Sequence, residues 1–485
     1  MSISTQSPSS ESITGSAFLD QAPLKDVVAF RQGRTGRRIV AVIADVVIYY
    51  AIALAVRQLM PAFFVVPYDI EQIVAVGLIL FVVLHVFDLY NLDSQISGLR
   101  APPRAIVANL ITIGLSLPVA YVLKRHLQTN WSVYFGPCIS LGIFGAWATS
   151  SRLVAGRLFK ERATKLHWLA IGKTESLRLF LNDFAKKENQ GTVHCLVPDS
   201  ERATAEAAEI SLIAKWSELP NLLERKWTGI IICDSLSFEE SLFNRLMMTR
   251  LQGAKILDLT EFYEHIWFKV PVFYLRDGWF ALSPGFDLLH NPIGLRIKRI
   301  IDVLLASTLL VLTTPIMAIA AVLIKLTSPG PIVYRQVRTG LGGKNFIIYK
   351  FRSMVGDAEK NGAQWAQKND SRITPIGQFL RISRIDELPQ LINVLKGEMS
   401  FIGPRPERPE MNAELEKVIQ YYNLRHLVPP GITGWAQCLY GYGSSVEDSR
   451  EKLQYDLYYI KNYSLLIDVA ILLKTVRVVL FGRGR

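Results

Sequence analysis

Apolar positions along the chain fall into three regimes, and each change of regime marks a change of architecture. Between Ile39 and Thr149 they run almost unbroken, as about Ile39–Val56, Ile70–Phe87, Ala105–Leu123 and Trp131–Thr149. Each run is close to the roughly 20 residues that cross a bilayer, so the pattern predicts four spanning helices. From about Lys165 to Val270 short apolar runs (His167–Ile171, Gly229–Cys233, Lys255–Leu259) alternate with amphipathic ones (Glu175–Lys187, Glu239–Leu251). That is the rhythm of a parallel α/β unit. Beyond Gly294 one long apolar stretch, Ile300–Leu326, leads into a mixed pattern that runs to the end. The expected architecture is a membrane α-helical bundle of four spanning helices at 37–150 and a Rossmann-like α/β soluble domain at 165–270. A mostly α domain with a re-entrant membrane helix follows at 294–485.

Polar residues orient these elements. Residues 1–24 are rich in Ser, Thr, Gln and Pro and lack the apolar core of a secretion signal, so 1–36 reads as a disordered cytoplasmic tail. Arg31, Arg34, Arg37 and Arg38 precede the first run, and Arg152, Arg157, Lys160, Arg162 and Lys165 follow the fourth. Positive charge collects on the cytoplasmic side, which places both ends of the bundle there. Arg100 and Arg104 agree with this topology; Lys124 and Arg125, in a loop expected outside, do not. Asp45 and His85 lie in or near the first two runs, where an ionisable group is a functional candidate by default. A packing or interfacial role is an equally good reading of both.

Ile300–Leu326 is long enough to span but contains Thr313-Thr314-Pro315. A proline inside a helix removes one hydrogen bond and bends the axis. Arg296, Lys298 and Arg299 on one flank, and Lys325, Arg335, Arg338 and Lys344 on the other, put both ends on the cytoplasmic side. The expectation is a re-entrant helix over about 298–326, broken at Thr314 and Pro315, with the Thr313 and Thr314 hydroxyls satisfying the freed backbone. An ordinary fifth crossing is the competing reading. Leu465–Leu480, interrupted by Asp468, Lys474 and Arg477, reads as interfacial. In the α/β region the turn Gly172-Lys173-Thr174 lacks the G-x-G-x-x-G that admits a pyrophosphate. That module is therefore expected to dock, oligomerise or regulate.

Composition narrows the partners. The 485 residues are half apolar and carry a formal charge of +12. Apolar runs bordered by Lys and Arg suit an anionic leaflet and phosphate substrates, so membrane lipids, and no nucleic acid, are the expected partners. Cys138, Cys195, Cys233 and Cys438 are far apart with no C-x-x-C spacing, which indicates neither a zinc site nor a disulfide framework.

The candidate chemistry lies after Ser328. Lys350-Phe351-Arg352-Ser353-Met354, Arg381-Ile382-Ser383-Arg384-Ile385-Asp386-Glu387 and Gly403-Pro404-Arg405-Pro406-Glu407-Arg408-Pro409 set adjacent carboxylates among basic residues. Asp386 and Glu387 are the candidate catalytic and metal-ligating pair: carboxylates form acyl-phosphates, and Mg²⁺ is held by one or two of them together with phosphate oxygens. Lys350, Arg352, Arg381, Arg405 and Arg408 are the candidate phosphate and substrate binders. Prolines on both sides of Arg405 stiffen its backbone. Pro429-Pro430-Gly431-Ile432-Thr433-Gly434 reads as a tight loop whose glycines let backbone amides approach an anion.

SPGPIVYRQVRTG, YKFRSM, IDELPQLINVLKGEMSFIGPRP and PGITGWAQ, in that order, resemble the bacterial sugar transferase family of monotopic phosphoglycosyl transferases. The whole layout resembles its large members, which start exopolysaccharide, capsule or O-antigen synthesis. The resemblance implies a re-entrant helix broken near Pro315, with Thr314 where serine is common. It implies Asp386 as nucleophile with Glu387 beside it and Mg²⁺ close by, and Arg405 as a phosphate-binding arginine. By the same resemblance a UDP-hexose, UDP-glucose or UDP-galactose, gives its hexose 1-phosphate to polyprenyl (undecaprenyl) phosphate and releases UMP, at the cytoplasmic face of a bacterial inner membrane. Arg384, where Ser is usual, and Cys438-Leu439, where a small apolar residue and Asn are usual, depart from the family pattern; the second departure bears on sugar choice. A glycosyltransferase releasing UDP and a non-catalytic scaffold of polysaccharide export are the alternatives, and a homodimer stays open.

Overall fold

The computed structural model describes residues 25–63, 69–87, 89–90, 101–123, 134–163, 166–187, 190–234, 240–275, 279–280, 283–355, 370–441, 443 and 445–481. The chain divides into two compact units, one of 1–79, 89–95 and 100–262 and one of 80–88, 96–99 and 263–485.

Four helices come first: α1 (Lys25–Phe63), α2 (Ile70–Val86), α3 (Ala101–Leu123) and α4 (Phe135–Ala163). α1 begins inside the region expected to be tail, so 25–36 are helical; 1–24 lie outside the described residues. Segments Val40–Leu59, Pro102–Val119 and Phe135–Leu158 are long and apolar enough to cross a membrane, and so is the later helix Pro292–Thr327. The second predicted span is shorter: α2 has 17 residues, about a turn less than a crossing needs. Arg152 is not a flanking charge. α4 extends well past it, and its Nη1 donates to Asp45 Oδ1 of α1 at 2.9 Å, both side chains buried. The packing reading of Asp45 is the one its surroundings satisfy, since a buried charge needs a partner.

The α/β domain contains β1 (His167–Ile171), α5 (Thr174–Ala185), β2 (Thr192–Leu196), α6 (Arg202–Ala207), α7 (Leu219–Leu223), β3 (Gly229–Ile232), α8 (Glu240–Leu251), β4 (Ile256–Asp258) and α9 (Leu259–Phe262). Its sheet is parallel throughout, in the order β2-β1-β3-β4. Leu169, Ile171, Leu196, Leu222 and Ile230 form its core. The turn after β1 is filled from within: Asp234 Oδ2 accepts from Lys173 N at 2.8 Å and Glu201 Oε2 from Thr174 N at 2.7 Å. Two carboxylates thus occupy the helix start where a dinucleotide fold holds phosphate.

The second unit carries α10 (Pro292–Thr327), the hairpin β5 (Val333–Thr339) and β6 (Asn345–Phe351), α11 (Pro375–Ile382), α12 (Gln390–Lys396), β7 (Ser400–Ile402), α13 (Pro409–Val418), β8 (Gly431–Thr433), α14 (Trp435–Leu439), α15 (Val446–Lys461) and α16 (Leu465–Phe481). Asn291 caps α10, its side chain accepting from Gly294 N. α10 is one helix with Pro315 inside it, not the expected two. The threonine hydroxyls also go elsewhere than expected: Thr313 Oγ1 donates to Leu309 O at 2.7 Å and Thr314 Oγ1 to Leu310 O at 2.6 Å. The carbonyl that Pro315 frees is that of Val311, four residues back.

Both halves of α10 pack on the same domain. Ala306, Leu309 and Leu310 meet Ile348, Leu391, Val394 and Met399, while Met317, Ala320 and Ile324 meet Phe351 and Leu380. Between and around these contacts Leu304, Val311, Leu312, Ile319 and Leu326 stay largely exposed. Near its start Lys298 Nζ lies 2.9 Å from Asp468 Oδ2, and Asp302 Oδ1 accepts from Phe401 N at 2.9 Å. Asp468 is thus a buried counter-ion in the protein rather than a charge breaking an interfacial helix, and Ile471 of α16 is fully buried.

Candidate active site

Asp386 and Glu387 occupy a single 3-10 turn, Ile385–Glu387, between α11 and α12. Arg384 before it has φ +59°, a left-handed conformation that non-glycine residues seldom adopt. Both carboxylates are buried. Three cations converge on Glu387 Oε1: Arg405 Nη2 at 2.7 Å, Lys350 Nζ from the end of β6 at 3.4 Å, and Arg384 Nη1 at 3.8 Å. Asp386 accepts no hydrogen bond from any described residue, and its Oδ1 is buried.

This asymmetry separates the two acids electrostatically. Burial pushes the Glu387 carboxyl up, but the charges of Arg405, Lys350 and Arg384 outweigh it and hold the group well below the usual carboxylate range. For Asp386, burial first and the neighbouring Glu387 charge second push the carboxyl up to about 6, against Lys350, Arg381 and Arg384. Burial drives Lys350 down to about 8 against the pull of Glu387.

Arg405 is held at several points. Its Nη1 donates to Gln437 Oε1 at 3.1 Å, and its carbonyl accepts from Arg425 Nη2 at 2.9 Å; that same Nη2 lies 3.0 Å from Asp456 Oδ2. Gly403 N donates to Thr433 O and Gly431 N to Pro404 O, each at 2.9 Å. A Cβ on Gly403 would stand 2.3 Å from Pro429 O, and one on Gly431 2.1 Å from Gly403 N. Glycines are needed because the two loops touch backbone to backbone; the Gly431 amide is spent on that contact and not offered to an anion, as the sequence had suggested.

The other expected binders are placed differently. Arg381 is in the last turn of α11 and its charge acts on Asp386. Arg352 Nη2 donates to Ser328 O and Oγ, each at 2.7 Å, closing the end of α10, while its Nη1 is buried with no partner among the described residues. Arg408 stands at the N-cap of α13. Thr314 and Pro315 lie within α10, and no described contact joins them to the acidic pair. Cys438 turns towards α16, its Sγ 3.5 Å from Thr475 Oγ1, so its side chain does not line the dyad. Sequence reasoning gave no role to Gln437, the last residue of PGITGWAQ, and missed the Arg425–Asp456 pair, whose members are 31 residues apart.

Among the described residues no three His, Cys, Asp or Glu side chains cluster as metal ligands. Asp386 and the Oε2 of Glu387, which no described residue bonds, suit a Mg²⁺ site that takes one or two carboxylates and draws its remaining ligands from water and substrate phosphates.

A family model described as Bacterial sugar transferase matches residues 293–482. A protein of Caulobacter vibrioides named UDP-glucose:undecaprenyl-phosphate glucose-1-phosphate transferase is 42% identical over 198 residues, 40% of this chain and 74% of that one. The chain belongs to the bacterial sugar transferase family. The Exopolysaccharide production protein PSS of Rhizobium leguminosarum bv. phaseoli is 41% identical over 186 residues, 37% of this chain and 93% of its own length. An Aeromonas hydrophila protein named UDP-N-acetylgalactosamine-undecaprenyl-phosphate N-acetylgalactosaminephosphotransferase is 51% identical over 198 residues, 41% of this chain and 47% of that one. The chain thus spans under half the length of the Aeromonas relative. The sugar transferase domain coincides with α10 and everything that surrounds the dyad.

Proposed function

We propose that this sugar transferase moves a sugar 1-phosphate from a UDP-sugar to undecaprenyl phosphate, releasing UMP and starting an exopolysaccharide or related glycan. The observation that carries the reading is the division of labour in the dyad: Glu387 is held by three cations while Asp386 has no hydrogen-bond partner among the described residues. Asp386 attacks the β-phosphorus of the donor, a P–O bond forms to its carboxylate, and the bond to the α-phosphate breaks with its electrons leaving on UMP. An oxygen of undecaprenyl phosphate then attacks the same phosphorus and Asp386 departs as carboxylate. Splitting the reaction spares the site from holding two bulky anions together. Arg405, fixed from three sides, steadies charge on the transferred phosphoryl group; Arg405, Lys350 and Arg384 together keep Glu387 ionised. Asp386 and Glu387 would hold Mg²⁺, which neutralises phosphate charge when bound.

The contacts of both halves of α10 with one domain favour a re-entrant helix in one leaflet, bringing the dyad to the lipid headgroup at the cytoplasmic face of the inner membrane. Relatives named for glucose and for N-acetylgalactosamine set the donor panel, with UDP-galactose added. The test is nucleotide release by detergent-solubilised protein supplied with Mg²⁺, undecaprenyl phosphate and that panel. UMP supports the reading, and UDP as the only nucleotide product overturns it in favour of ordinary glycosyl transfer.

A further inference from the structure

Gln437 has no role in the chemistry assigned so far beyond touching Arg405. Its Oε1 accepts from Arg405 Nη1 at 3.1 Å. A guanidinium only donates, so this contact fixes which end of the amide is oxygen, and Nε2 carries two N–H groups away from Arg405. That nitrogen is buried and has no hydrogen-bond partner among the described residues.

Its neighbours in α14 are fixed by other elements. Trp435 is buried and donates from Nε1 to Phe268 O at 3.0 Å, and Cys438 Sγ faces Thr475 on α16 at 3.5 Å. A Cβ on Gly434 would lie 3.7 Å from Gln437 Nε2, an ordinary van der Waals separation. Gln390, four residues after Asp386, also buries an Nε2 with no partner among the described residues. Buried donors are nearly always satisfied, and one left open beside a reacting pair implies that a ligand supplies the acceptor.

We propose that Gln437 Nε2 is a substrate contact, donating to an oxygen of the phosphoryl group that faces Asp386 while Oε1 holds Arg405 in place. The inference rests on the transferase reading above. The ligand class follows from position: the other end of the amide touches the guanidinium that itself lies 2.7 Å from Glu387. A phosphorus under attack by Asp386 therefore turns its oxygens towards donors on this side. Either the UDP-sugar or the lipid phosphate presents such oxygens.

Gln437→Glu keeps an acceptor for Arg405 and removes the donor; Gln437→Ala removes both. Both are compared with wild type for single-turnover formation of the sugar-phosphate adduct on Asp386, for the KM of undecaprenyl phosphate, and for thermal midpoint as a folding control. The expected result is adduct formation slowed by at least about tenfold in both folded variants, which assigns the contact to the donor phosphate. A normal adduct rate with a KM for the lipid raised about tenfold assigns it to the lipid phosphate. Gln437→Glu matching wild type in both half-reactions overturns the proposal and leaves Gln437 only a support for Arg405. Wild-type protein that releases no UMP from any donor overturns the transferase reading, and this inference with it.

Discussion

Arg405 Nη2 lies 2.7 Å from Glu387 Oε1, while Asp386, one residue earlier, takes no hydrogen bond from any described residue. Adjacent carboxylates usually compete for the same cations. Here, on one 3-10 turn, they do not: Glu387 is a fixed counter-ion, and Asp386 keeps a buried oxygen with no partner among the described residues. This relationship makes the two substitutions at the dyad unequal.

Asp386→Asn removes the proposed nucleophile and is expected to lower UMP release by at least about a thousandfold, with no covalent adduct detectable by mass spectrometry. Glu387→Gln leaves Arg405 and Lys350 facing a neutral amide and is expected to cost about a hundredfold, with adduct still formed. Equal losses in the two variants, with adduct absent from both, would contradict the division of roles.

The pH profile follows from the same asymmetry. As the proposed nucleophile Asp386 attacks ionised, and its carboxyl is raised to about 6, so activity is expected to be intact above that value and lost as pH falls through it. Lys350 opposes the rise. Lys350→Met is therefore expected to move the acid limb of kcat/KM to higher pH, a shift read from initial rates between about pH 5 and 8. A limb that stays in place would show that another group sets it.

Much of this arrangement was legible in the sequence, because the acidic pair and its arginines recur at short spacing on rigid prolines and glycines. Hydropathy found the membrane helices but not their ends: α4 extends beyond Arg152 because Asp45 supplies a buried partner, a contact 107 residues away that no local window sees. β2 escaped notice because a five-residue edge strand carrying Thr192 and His194 has no strong apolar period. Arg352 matched its motif but was expected at phosphate, whereas Ser328 takes its Nη2. Arg425 and Asp456 are ordinary surface residues by pattern; only the fold brings them under Arg405.

That buried pair yields a stability prediction. Arg425 and Asp456 have side chains only 6% and 3% exposed and lie 3.0 Å apart. Asp456→Ala leaves the Arg425 cation unpaired in the interior, a change worth about 3–5 kcal/mol. It also loosens the Arg405 carbonyl that Arg425 holds. Chemical denaturation in detergent should show the loss, and kcat should fall in whatever fraction stays folded; unchanged stability would mean that the pair is solvated.

α10 can meet the membrane in two ways. Its 36 residues make about 54 Å of helix, well over the roughly 30 Å hydrocarbon core, so length alone permits a crossing. Packing argues otherwise. Asp302 bonds Phe401 near one end, and Ile324 packs with Phe351 and Leu380 near the other. A helix crossing along the bilayer normal would carry these two anchors to opposite surfaces, yet both belong to one folded domain. With the four native cysteines replaced, single cysteines at the exposed positions His290 and Lys344 are therefore expected to react alike with a membrane-impermeant maleimide, in inverted vesicles but not in intact cells. Labelling of His290→Cys from one side and Lys344→Cys from the other would establish a fifth crossing. It would also place the dyad on the far side of the membrane from the residues before α10.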